Sequence, residues 1–184
     1  MTHFSLIPFP DNRLHPEIEI TGQIERFNQQ LSITFQLTGE IEKIAVTPAD
    51  PNPSRQNELW QTTCFEFFLA LKGRPKYWEF NLSPAGYWNI YRFDDYRQGM
   101  AEELAFQSLP FLVKIQPDSL TLSLSLDLKT IVSSTQALEV GITTVIQSQI
   151  NNLISEQDAI TYWALTHVGQ EADFHQRNSF ILSL

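Results

Sequence analysis

The feature that most restricts what this chain can become is a period-two alternation of apolar and polar residues that recurs along much of its length. It is cleanest where Leu120, Leu122, Leu124 and Leu126 are separated by Thr121, Ser123 and Ser125. Leu31, Ile33, Phe35 and Leu37 alternate with Ser32, Thr34 and Gln36, and Ile18, Ile20 and Ile24 with Glu17, Glu19 and Gln23. Val140, Ile142, Thr144 and Ile146 form a further run. Successive side chains of a strand point to opposite faces, so the pattern predicts half-buried strands with one face on a core and the other in water. Turn-forming residues separate the runs at Thr38-Gly39-Glu40, Lys72-Gly73-Arg74-Pro75, Ser83-Pro84-Ala85-Gly86 and Gln116-Pro117-Asp118. Helical signal is confined to a turn or two at Met100 to Phe106 and at Leu128 to Ser133. The expectation is an all-β, two-layer antiparallel β-sandwich of jelly-roll type with one or two short helices; a barrel is the alternative.

The 184 residues match one domain spanning 1–184, with the Pro-rich run Thr47 to Arg55 as a long loop. A formal net charge of −9, with 12 Lys and Arg that form no cluster, disfavours nucleic acid and anionic membrane surfaces as partners. Cys64 is alone, which excludes an intrachain disulfide. The N-terminal residues lack the basic-then-apolar pattern of a secretory leader, and no segment is long enough to span a bilayer as a helix. The expected location is cytoplasmic.

Between Trp60 and Tyr96 lie three of the four tryptophans and twelve of the 22 aromatic residues, interleaved with Glu66, Glu79, Asn81, Asn89 and Arg92. Read as strands, Phe65, Phe67, Leu69 and Leu71 share one face, with Cys64, Glu66, Phe68 and Ala70 on the other. Trp78, Phe80 and Leu82 oppose Tyr77, Glu79 and Asn81. Tyr87, Asn89, Tyr91 and Phe93 oppose Trp88, Ile90, Arg92 and Asp94. If the two hairpin turns keep register, Glu66, Glu79 and Asn81 fall on one side of a sheet beside tyrosine rings. An apolar floor with convergent hydrogen-bonding groups is the usual make-up of a small-molecule site. Aromatic faces stack on sugar C–H surfaces while Glu, Asn and Arg bond hydroxyls. Against this stands the plain alternative that strands favour aromatics and that these rings are core.

Leu59-Trp60, Glu66 six residues after that Trp, and the run Tyr77-Trp78-Glu79-Phe80-Asn81-Leu82-Ser83-Pro84-Ala85-Gly86 resemble the core of family 9 carbohydrate-binding modules, which belong with the DOMON-like β-sandwiches. The closing Asp173-Phe174-His175-Gln176-Arg177-Asn178-Ser179-Phe180 resembles the ending of free-standing DOMON-like proteins. The matching segments cover about a third of the chain. The resemblance implies a β-sandwich that binds sugar or haem, with two tryptophans clamping a sugar whose hydroxyls are held by Glu, Arg and Asn. Carried over, Trp60, Glu66 and Asn81 match, and Trp163 stands as the second clamp. Glu79 occupies a position where the family tends to place Arg, and Thr63 one where an Asp usually precedes the strand.

Other chemistries find less support. Haem ligation would have to draw on Met1, Met100, His3, His15, His167 or His175, none with a signalled partner. His167, Asp173 and His175 match no zinc spacing, and Asp94 with Asp95 no calcium loop. Glu66 and Glu79 could be drawn as a glycosidase pair, and Cys64 with a His as nucleophile and base, but neither sits in a motif. The seven glycines make no phosphate loop. The reading is therefore a non-catalytic domain without metal or cofactor. It binds a small polar ligand of carbohydrate type through Trp60, Glu66, Glu79, Asn81, Arg92 and Trp163. The alternative is a protein-interaction or self-associating (homo-oligomeric) module with a degenerate ligand site.

Overall fold

The computed structural model describes residues 1–11, 13, 15–149 and 159–184. Its described strands are β1 (Thr2–Pro8), β2 (Ile18–Phe27), β3 (Gln30–Gly39), β4 (Cys64–Leu71), β5 (Tyr77–Leu82), β6 (Trp88–Phe93), β7 (Ala101–Glu102), β8 (Phe111–Gln116), β9 (Ser119–Asp127), β10 (Leu138–Gln147), β11 (Ile160–Ala164) and β12 (Leu182–Ser183). All strand pairs are antiparallel. They make an all-β sandwich. One layer runs β1-β2-β3-β9-β8 and the other β7-β6-β5-β4-β10-β11, with β12 beside β10. The layers are joined through β1: Thr2 to Leu6 pair with β2, whereas Ile7 and Pro8 pair with β11.

The alternation seen in the sequence becomes the inner face of the first layer. Ile20, Ile24, Leu31, Ile33, Phe35, Leu37 and the four leucines of β9 are all buried. Gly22 opposes Phe4 on that face, and a Cβ there would lie 2.3 Å from the Phe4 ring, so the glycine makes the room that the ring fills. Phe4 meets Phe35 edge-on at 5.5 Å, and Phe35 meets Phe65 of the opposite layer at 5.3 Å, which ties the two sheets together. Phe67 and Phe80 stack at 4.3 Å on the inner face of the second layer. Burying rings of this size supplies much of what holds such a sandwich.

Of the two helical expectations, the one at Met100 to Phe106 is corrected and the one at Leu128 to Ser133 is met by a single turn. Ala101–Glu102 form β7 against β6 rather than a helix, because the chain after the Asp94–Met100 loop returns beside β6. Leu128 to Val132 makes one turn, closed by Val132 N–H donating to the Leu128 carbonyl at 2.8 Å. Single 3-10 turns stand at Ile41–Lys43, Leu59–Gln61 and Arg177–Ser179. Thr47 to Arg55 is a loop, bridged to Trp88 at Arg55. Among the described residues no helix is long and apolar enough to cross a membrane.

Candidate functional site

The second layer is buried on both sides. Every residue of β5 is buried, as is every residue of β4 except Leu71. Register brings Glu66 opposite both Asn81 and Thr143, while Glu79 stands opposite Phe68 and Tyr91. Both hairpins therefore keep the alternation, and Glu66, Glu79 and Asn81 share the outer face as the sequence pattern predicts. Water is kept from that face by the C-terminal segment from Ala172 to Phe180, which crosses it as a strap. Phe180 packs on Phe68 and Tyr77, and His175 on Phe68, Tyr77 and Phe93. A Cβ on Gly141 would come within 2.8 Å of the Phe180 ring, so the bare backbone of β10 lets the strap lie close. Arg177 bonds Glu139, and Arg97 pairs with Asp173 at 2.8 Å, which anchors the strap to β10 and to the loop between β6 and β7.

Between strap and sheet a recess of about 390 Å³ remains. Trp60, from the Leu59–Gln61 turn, forms one wall, while Tyr162 and Phe174, themselves edge-to-face at 5.9 Å, form another. Glu66, Phe68, Glu79, Phe93 and Val145 make the floor, and Arg97, Met100, Ala172 and His175 complete the rim. Trp60 is half-buried and meets Tyr91 at 5.7 Å.

The floor carries unusual charge. Glu66 is only 2% exposed. Its Oε2 accepts from the Thr143 hydroxyl at 3.0 Å, whereas Oε1 is buried and has no partner among the described residues. Glu79 Oε1 accepts from Asn81 Nδ2 at 2.8 Å, and its Oε2 lies 3.8 Å from His175 Nε2. Desolvation, and then the neighbouring Glu79, push the Glu66 carboxyl well above the ordinary carboxylate range. Glu79 is also raised by desolvation, against the Asn81 hydrogen bond and the Arg97 charge that favour its ionised form. Burial lowers His175 to about 4, aided by Arg97, so it is neutral near pH 7. Its Nδ1 lies 2.8 Å from the Tyr77 hydroxyl, which also accepts the Arg97 backbone N–H at 3.2 Å. Burial raises Tyr77 to about 12, so its proton stays in place to be donated to Nδ1. That arrangement turns the remaining His175 N–H toward Glu79.

Three of the six residues expected in the site do not line the recess. Trp163 lies on the inner face of β11, 5% exposed in the core, with its indole N–H on the Thr161 hydroxyl at 3.1 Å. It does not face Trp60. The odd–even alternation gives the reason: Tyr162, one residue earlier, points outward and supplies the ring that borders the recess. Arg92 is exposed on the opposite side of β6 from Glu66, paired in register with Trp78 and Ala101. Asn81 is buried behind the floor and acts by holding Glu79. Asn89 is similarly enclosed, donating to Asn57 Oδ1 at 2.8 Å and accepting from Arg55 at 2.6 Å. The strap residues and Arg97 were not visible as site residues, because nothing in a linear pattern says which strand face a distant segment will cover.

Met100 and His175 both border the recess, but His175 does not suit iron. One ring nitrogen is engaged by Tyr77, and the other faces a carboxylate at 3.8 Å. His167 is remote from them, with Nε2 on the Ile7 carbonyl at 3.0 Å, and the described residues contain no group of three metal-type ligands.

No protein-family model and no curated protein matches the sequence. Solved structures do match in fold. A "putative carbohydrate-binding protein" from Bacteroides uniformis superposes with a TM-score of 0.64 at 12% identity, covering 96% of this chain and 84% of that one. A family 9 carbohydrate-binding module from Caldicellulosiruptor kristjanssonii, solved with cellotriose, gives 0.50 at 8% identity over 83% of this chain and 67% of that one. At such identities the likeness shows the fold alone.

Proposed function

We propose that residues 1–184 form one DOMON-like domain that holds a small carbohydrate in the recess between Trp60 and the strap, without transforming it. The observation that carries this reading is the Glu66 carboxyl, buried yet with one oxygen unpartnered, on the floor of an aromatic-walled recess. A buried polar atom left without a partner is costly, and a ligand hydroxyl removes that cost. The recess lies within the range of small-molecule sites, roughly 300–1,000 Å³. Trp60, Tyr162 and Phe174 offer ring faces and edges for sugar C–H surfaces. A carboxyl held near neutrality both donates and accepts, as a sugar hydroxyl does.

Thermal-shift and calorimetric titration against a panel of neutral mono- and disaccharides tests the reading. Trp60→Ala is expected to abolish binding while lowering Tm by no more than about 4 °C, the equivalent of roughly 1 kcal/mol in a chain of this size. A much larger fall in Tm would show that Trp60 serves the core instead of a ligand.

A further inference from the structure

We propose that the carbohydrate held here bears a cationic nitrogen, as an amino sugar does, and that Glu66 and Glu79 receive it. The inference rests on the carbohydrate reading of this recess and narrows its ligand class. Among the described residues, four ionisable side chains other than tyrosine border the cavity: Glu66, Glu79, Arg97 and His175. Arg97 is paired with Asp173 at 2.8 Å, so only part of its charge is felt at Glu79. His175 is buried in its neutral form, with Tyr77 on one nitrogen. Neither carboxyl on that wall is in a direct pair with a cationic side chain among the described residues.

Among the described lining residues Arg97 is the only Lys or Arg. Arg55 is held away from the recess by Asn89 and the carbonyls of Glu103 and Phe106, and Arg177 pairs with Glu139. The residues outside the described ranges include no Lys, Arg or His.

An ammonium group meets what this wall lacks. It brings a positive charge and three N–H donors, and its charge-assisted bonds to carboxylates are about twice as strong as neutral ones. The Glu66 carboxyl borders this space, and its Oε1 has only the weak Cys64 thiol beside it, so the group has acceptor capacity to spare. The rings of Trp60, Phe68, Tyr162 and Phe174 bordering the same space attract organic cations through their faces. An inorganic divalent ion fits less well, because the described residues provide no third metal ligand beside the pair. Burial raises both carboxyls in the free protein, which is the state expected of a site whose counter-ion arrives with its ligand.

D-glucosamine, D-glucose and N-acetyl-D-glucosamine differ at a single position, and only the first carries a charge. Calorimetric titration of the intact protein near neutral pH is expected to show glucosamine binding roughly tenfold or more tightly than either neutral sugar. Glu66→Gln, which keeps an acceptor for Thr143 but removes the charge, should reduce that ratio to near one; Glu79→Gln serves the same purpose should the first variant fold poorly. Equal affinity of the wild-type protein for glucosamine and glucose overturns this inference and leaves the carbohydrate reading standing. If none of the three binds, the inference fails, and the neutral-sugar panel then decides separately whether the carbohydrate reading fails too.

Discussion

The outward faces of the two layers make an instructive pair, because the same alternation produced both. On the first layer Ser32 faces Ser125 and Thr34 faces Ser123 across β3 and β9, at 3.4 and 3.2 Å, with solvent within reach. On the second layer Glu66, Asn81 and Thr143 occupy the equivalent outward rows and are 2% exposed or less. The difference lies in what covers them. Nothing comparable to the Ala172–Phe180 strap crosses the described outer face of the first layer, so its hydroxyls are cheap solvated groups. Under the strap each polar group must find a partner or wait for one. An aromatic-walled recess has been made by covering a polar strand face incompletely.

The contrast has measurable consequences. The largest is expected from Asn81→Ala, which opens a void and strips Glu79 Oε1 of its donor; the loss should be roughly 2–4 kcal/mol in urea unfolding. Ser123→Ala on the other layer should stay within about 0.5 kcal/mol. Similar costs at the two positions would mean that covering makes no difference.

Gly141→Ala comes next. The added methyl must displace Phe180, at an expected cost of about 1–3 kcal/mol, and amide exchange should quicken through residues 172–180. Unchanged exchange would show that the strap holds by other contacts.

The smallest effect is a pH dependence. The folded-state values of Glu66 and Glu79 lie above their ordinary 4.5, so the folded protein binds more protons than the unfolded chain as pH rises past that value, and stability declines. His175, lowered from 6.5, works the other way below pH 6.5, where the unfolded chain takes up the proton. Above pH 6.5, and below the ordinary thiol value of 9.0 where Cys64 would intervene, the glutamates act without that opposition. Tm should fall through this window and fall less in Glu66→Gln. A Tm that rises with pH there would contradict the buried, unpaired state of the two carboxyls.

Much of this could be seen in the linear chain, for identifiable reasons. The inner faces of β2, β3, β4, β5, β9 and β10 appear directly as period-two runs, because pleat geometry leaves a strand no other way to sort apolar from polar residues. Glu66, Glu79 and Asn81 were placed on one face correctly because tight turns at Gly73 and Gly86, both at positive φ, carried the register from strand to strand. The strands β1, β8 and β11 went unnoticed. Each is short or at a junction, and Lys114 and Gln116 blur the alternation of β8. Trp163 was misplaced by one position of parity, a mistake open to any assignment made on residue type without strand register.

From its amino acids alone, then, the chain settles that it forms two-faced strands and which side chains each face shows, since alternation follows from covalent geometry and needs no knowledge of neighbours. Which face meets the core, which meets water and which is enclosed with its carboxyls unpaired depends on segments about a hundred residues apart in sequence. Only the folded molecule, by laying its last residues across the strands that carry Glu66 and Glu79, decides that the recess exists.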